Sequence, residues 1–180
     1  MCVLVSLLAV SCADSAGPVE VDAQWSLTCP DDVGCTTPAK TCLGEGNQRT
    51  IVGQHGQQTC TDDPLIASCE AVERDGARLV FLEVNVGDAF AFELRGARID
   101  AGGPEQAVCT VTIVEDGDAY GRMLGACGED PPSMVQPCQL SEISAAGGEV
   151  SFDLECDALL STTTGFDVRG TFRFSNCTGL

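Results

Sequence analysis

Over much of residues 77–177, apolar and polar positions alternate with a period of two. Leu82, Val84 and Val86 alternate with Glu83 and Asn85, and Gly87-Asp88 then supplies a turn. Phe90, Phe92 and Leu94 follow, separated by Ala91 and Glu93. Val111 and Ile113 alternate with Thr110 and Thr112, and lead to Asp116-Gly117, a pair suited to a two-residue hairpin loop because glycine tolerates positive φ. Val150, Phe152, Leu154 and Cys156 alternate with Ser151, Asp153 and Glu155. Phe166, Val168, Gly170, Phe172 and Phe174 line one side of a final segment, with Asp167, Arg169, Thr171 and Arg173 on the other. A helix would spread these apolar residues around its axis, whereas a strand places them on one face. The best helical candidate, around Ala158 to Ser161, is too short to change the class.

Three stretches share a weak pattern: they start at Cys69, Cys109 and Cys138, and each runs cysteine, short strand, glycine turn, returning strand. The second and third return strands end near Cys127 and Cys156; the first has no matching cysteine. Hairpins with one wet face must stack their apolar faces, and two antiparallel sheets packed face to face are the simplest solution. The expectation is an all-β, disulfide-rich antiparallel β-sandwich of about eight strands spanning residues 70–180. Residues 24–69 read as a cysteine-rich, loop-rich segment packed on it. Within that segment Gln24 to Thr28 alternates as a strand would, and Ile51-Val52 is a short apolar spot.

Composition changes the picture in two ways. The chain has 180 residues, 12 of them cysteine, and only 5% aromatic. Such a chain leans on cross-links more than on a large aromatic core. It also carries 27 acidic against 9 basic residues, a net charge of −18. That balance argues against nucleic acid, since neutralising phosphates takes Lys and Arg. It equally excludes charge-driven attachment to an anionic lipid surface.

The N-terminal residues bear on location. Val3 to Val10 form an apolar run interrupted only by Ser6, too short to span a bilayer and fitting the core of a signal peptide over residues 1–11. Leu8-Ala9-Val10-Ser11-Cys12 resembles the lipobox of bacterial lipoproteins. That resemblance covers about a dozen residues and implies a lipid-modified Cys12 as the new N-terminus, with residues 12–23 as a tether. By the same analogy, Ala13 after the cysteine implies the outer membrane of a two-membraned cell. Ser11-Cys12-Ala13 also resembles an ordinary signal-peptidase site, which would release a secreted chain from Asp14. Either route removes Cys2 and leaves ten cysteines for pairing: Cys29, Cys35, Cys42, Cys60, Cys69, Cys109, Cys127, Cys138, Cys156 and Cys177. An even set in an oxidising compartment reads as five disulfides, whose connectivity the sequence leaves open. Zinc would want closely spaced cysteine pairs, which are missing.

Catalytic chemistry is sparse. His55, the only histidine, reads as exposed on a glycine-rich loop or hairpin tip. No G-x-S-x-G elbow accompanies it, and an evenly paired cysteine set leaves no thiolate nucleophile. Asp31-Asp32, Asp62-Asp63 and Glu115-Asp116-Gly117-Asp118 are the densest carboxylate groups and read as exposed loop or hairpin-tip residues. Asp116 and Asp118 are the weak calcium candidates, although no EF-hand loop pattern surrounds them. Asn176-Cys177-Thr178 matches a glycosylation acceptor, meaningful only in a eukaryotic secretory route. Trp25 reads as core. These observations lead to the expectation of a non-enzymatic, membrane-anchored lipoprotein with no cofactor, which binds, adheres to or structurally supports an envelope or extracellular protein or glycan. Two alternatives stay open: a glycosidase-like hydrolase using paired carboxylates, and a calcium-stabilised recognition module.

Overall fold

The computed structural model describes residues 17–29, 40–100, 108–115, 122–128, 136–160 and 165–180. These residues form strands and no helix. In chain order they are β1 (Glu20–Thr28), β2 (Lys40–Thr41), β3 (Gly44–Glu45), β4 (Gln48–Gln54), β5 (Ile66–Arg74) and β6 (Ala77–Val86). Then follow β7 (Phe90–Arg98), β8 (Cys109–Glu115), β9 (Arg122–Cys127), β10 (Cys138–Ala146), β11 (Glu149–Leu160) and β12 (Gly165–Ser175). Ten of them make one sheet in the order β4-β1-β12-β11-β10-β9-β8-β7-β6-β5, while β2 and β3 pair separately. The all-β expectation holds: eight strands, β5 to β12, lie where about eight were anticipated, and β1 to β4 add strands ahead of them. A single sheet curls until its halves face each other, so the two layers expected of a sandwich belong to one nearly closed barrel.

Period-two patterning does what the alternation demands. In β1, Val21, Ala23, Trp25 and Leu27 are buried while Glu20, Asp22 and Gln24 are exposed. Rings from the two halves meet inside. Trp25 stacks on Phe90 of β7 at 4.4 Å, and Phe172 of β12 stacks on Phe92 of β7 at 4.5 Å and on Phe152 of β11 at 5.4 Å. Such stacking adds about 0.5–1.5 kcal/mol per pair beyond area burial. Although aromatics are few, Trp25 and six of the seven phenylalanines are buried in the interior.

The sheet's two edges, β4 and β5, meet at a seam closed by three different devices. Leu65, just before β5, exchanges backbone hydrogen bonds with the turn after β4: Gly56 N donates to Leu65 O at 2.8 Å and Leu65 N to Gln57 O at 2.8 Å. One residue pair on, Nδ1 of His55 lies 3.1 Å from Ala67 N and 3.0 Å from Ala67 O, standing in for a strand residue. Further along, Thr178 N donates to Cys69 O at 3.1 Å and Ala71 N to Thr178 O at 2.8 Å. The C-terminal tail thus lies along β5, and Gly179 (φ +78°) passes so close to the Ala71 carbonyl that no side chain fits there.

All nine cysteines among the described residues are in disulfides. Those with both partners described are Cys42–Cys60, Cys69–Cys177, Cys109–Cys127 and Cys138–Cys156. Cys109 faces Cys127 on β8 and β9, Cys127 faces Cys138 on β9 and β10, and Cys138 faces Cys156 on β10 and β11. Four cysteines therefore form one row across four strands, bonded in two pairs. The bridges place the folded chain in an oxidising compartment, extracellular or periplasmic.

The segment boundaries read from sequence do not divide this sheet. β1 begins at Glu20, inside the expected tether, and β1, β4 and the start of β5 are strands of the main sheet although they fall in or before residues 24–69. Ala23 hides the alternation of β1, because a small residue carries little hydropathy while still occupying an inward position. Of the best helical candidate, Ala158 to Ser161, the described residues Ala158 to Leu160 extend β11 beyond a bulge after Cys156, and Ser161 lies outside the described residues. Ala158 there has φ +53°, and Asp167 accepts a hydrogen bond from its backbone N–H at 2.9 Å.

Candidate functional site

The outer face of β4-β1-β12-β11 presents ordered rows of polar side chains. Register pairing sets Arg169 beside Glu155 and Thr171 beside Asp153. Arg169 bridges Glu155 at 2.7 Å and Asp157 at 3.4 Å, and Thr171 Oγ1 donates to Asp153 at 2.7 Å. The Glu155 carboxylate, by hydrogen bond and by charge, raises the Arg169 guanidinium's pKa above its ordinary value. At the far end of these rows lies an open groove of about 460 Å³, lined by Glu20, Asp22, Val52, Gln54, Glu149 and Arg173 among others. Its polar character follows from strand parity: apart from Arg49 of β4, no charged residue takes an inward position on these strands, so the outward ones carry the charges.

Within the groove Arg173 reaches Glu149 at 3.5 Å, and its register partner on β1 is Asp22. Glu20 and Asp22 are exposed and stand side by side on one strand. Val52, 67% exposed, is the most exposed large apolar residue among the described residues and forms an apolar wall. A glycosidase places two carboxylates on either side of a scissile bond. Here Glu149 is engaged by Arg173, and the other two carboxylates share one strand.

A second polar cluster lies inside the barrel. Arg49 of β4 and Glu115 of β8 are both essentially inaccessible, and Arg49 Nε donates to Glu115 Oε1 at 2.7 Å. Arg49 Nη1 also donates to Gly46 O at 2.7 Å and Gln48 O at 3.0 Å. Glu115 was expected among exposed hairpin-tip carboxylates. Instead it continues the inward series Val111, Ile113, Glu115, so strand parity carries it into the core. The sequence held this signal, but the adjoining acidic run concealed it.

The remaining candidates are distributed as follows. His55 is exposed in the turn after β4, as expected, but its ring closes the seam. Asp62 and Asp63 are exposed in a loop, where Asp63 O accepts from Thr59 and Thr61. Trp25 is buried, as expected. Cys12, Cys35, Asp31, Asp32, Asp116 and Asp118 lie outside the described residues. Among the described residues no group of three His, Cys, Asp or Glu could hold a metal ion, and no helix is long and apolar enough to cross a membrane. Comparison with protein-family models, curated proteins and solved structures gives no match for this chain.

Proposed function

We propose that the chain is a non-enzymatic, exported lipoprotein held at the outer membrane through Cys12, whose barrel engages an envelope or extracellular protein or glycan by its outer face. The observation that carries this reading is where the chemistry lies. The interior is occupied by stacked rings and one neutralised ion pair, while ordered polar rows and an open groove occupy the outside of β4-β1-β12-β11. Disulfides support the exported part, since such a set persists where thiols are oxidised. The lipobox resemblance at residues 8–12 supports the anchor.

The test is intact mass and cell fractionation of the natural chain and of Cys12→Ser. An acylated N-terminus at Cys12, a membrane-bound natural chain and a soluble variant are expected. An unacylated chain beginning at Asp14, soluble in both forms, would overturn the anchor and leave a free secreted protein.

A further inference from the structure

Trp25 and Arg49 are register partners on β1 and β4, both pointing inward, 2% and 1% exposed. Arg49 spends Nε on Glu115 and Nη1 on two backbone carbonyls. Its Nη2 has no acceptor among the described residues, and neither does Trp25 Nε1. Two donor nitrogens on adjacent residues are thus buried with nothing to receive their protons. Buried N–H groups are almost always satisfied, by protein or by ordered water.

Their surroundings define what the acceptor must be. The indole ring stacks on Phe90, and the register partner of Phe90 on β8 is Glu115. Trp25 with Arg49 on one side and Phe90 with Glu115 on the other therefore form one cluster across the barrel. Arg49 and Glu115 already cancel each other's charge. An anion would add an uncompensated charge to a desolvated site, whereas a neutral acceptor adds none. A hydrocarbon ligand offers no acceptor at all.

From this geometry we infer that the Trp25–Arg49–Glu115 cluster is a buried hydration site. One water oxygen accepts from Trp25 Nε1 and Arg49 Nη2, and the same water donates to the Glu115 carboxylate, which can accept from several donors at once. The water binds both halves of the curled sheet at a point where β1 and β4 face β7 and β8.

Trp25 is the only tryptophan, so its indole N–H is a unique reporter. The experiment is nitrogen-15 NMR of the folded, oxidised protein, with water-to-indole cross-relaxation measured at the Nε1 proton and oxygen-17 relaxation dispersion counting long-lived internal waters. A direct cross-peak with the sign of a long-residence water is expected. The double variant Arg49→Met, Glu115→Leu should lose that cross-peak and show one fewer long-lived water. A protected indole proton with no water cross-peak would overturn the inference, because the acceptor would then be a protein group. An indole shift that titrates with added chloride or phosphate would also overturn it, in favour of an anion. The wild-type measurement decides the matter even if the double variant does not fold.

Discussion

Removing the Cys69–Cys177 bridge should cost more stability than removing any of the other three bridges whose two cysteines are both described, and the reason lies in the unfolded chain. The bridge joins residues 108 apart, whereas Cys42–Cys60, Cys109–Cys127 and Cys138–Cys156 each join residues 18 apart. Loop-closure entropy gives about 4.8 kcal/mol for the long loop and about 3.2 kcal/mol for each short one. The Cys109 and Cys138 bridges lie inside the long loop and shorten its effective length by roughly a third, which lowers its figure by only about 0.4 kcal/mol because the dependence is logarithmic. A gap of about 1.2 kcal/mol should therefore remain. The cleanest comparison is Cys69→Ala with Cys177→Ala against Cys109→Ala with Cys127→Ala. All four cysteines are buried, at 3%, 6%, 7% and 0% exposure, so the packing losses are similar. Guanidinium unfolding of the two variants gives the free energies. The m-value should rise more for the first pair, since its denatured state is released from the larger constraint. Equal losses, or a larger loss for Cys109 with Cys127, would refute the chain-entropy argument and place the stabilisation in native contacts.

Other predictions follow from the same geometry. Arg49→Met alone leaves the Glu115 carboxylate buried without its guanidinium and should cost about 3–5 kcal/mol, while adding Glu115→Leu should recover most of that loss in chemical denaturation. Gly170→Ala places a Cβ 2.5 Å from both Gln24 O and Trp25 Cβ, so it should lower stability by about 1–3 kcal/mol and shift the Trp25 emission. His55→Phe keeps a ring at the seam but removes the nitrogen that meets Ala67, and should cost about 0.5–1.5 kcal/mol with faster amide exchange at Ala67. Asp100 is held below its ordinary pKa of 3.8, first by the Arg78 backbone N–H and further by Arg98, against some desolvation. A depressed carboxylate adds stability above its unfolded pKa and loses it as pH falls through the folded one. Asp100→Asn should therefore be less stable than the natural chain by a constant margin near neutrality, and the margin should close below about pH 4.

How much of this was legible in the sequence differs from element to element. β6, β7, β11 and β12 announce themselves, because Val, Leu and Phe recur at most of the alternate positions and the intervening residues are mostly polar. β1 was legible only from Gln24 to Thr28, since Val21 and Ala23 are too small or too isolated to signal a strand. The hairpin pattern starting at Cys109 and Cys138 did mark the strands that carry Cys127 and Cys156, and the pattern beginning at Cys69 marked the β5–β6 hairpin but offered no cysteine to pair with. Its partner, Cys177, lies beyond β12 and reaches β5 only because the sheet curls. Local periodicity carries no information about curling, so it suggests two sheets where one folds over on itself.

The seam shows why closure, and with it the location of any site, could not be read from residue types. An edge strand exposes a row of backbone donors and acceptors that invites pairing with another chain. On β5 that row is met in succession by the turn after β4, by a histidine ring and by the C-terminal tail. None of the three has strand character in the sequence. His55 reads as a loop residue because it is one, and Thr178 sits beyond the last alternating segment. Their role exists only once β4 and β5 are brought together, and the aromatic contacts between β1, β12 and β7 do that. The order of causation runs from the apolar face to the curl, from the curl to the seam, and from the seam to a barrel whose inside is full. A partner approaching such a barrel meets only the outward residues, which are the half of the pattern that core formation leaves free to vary.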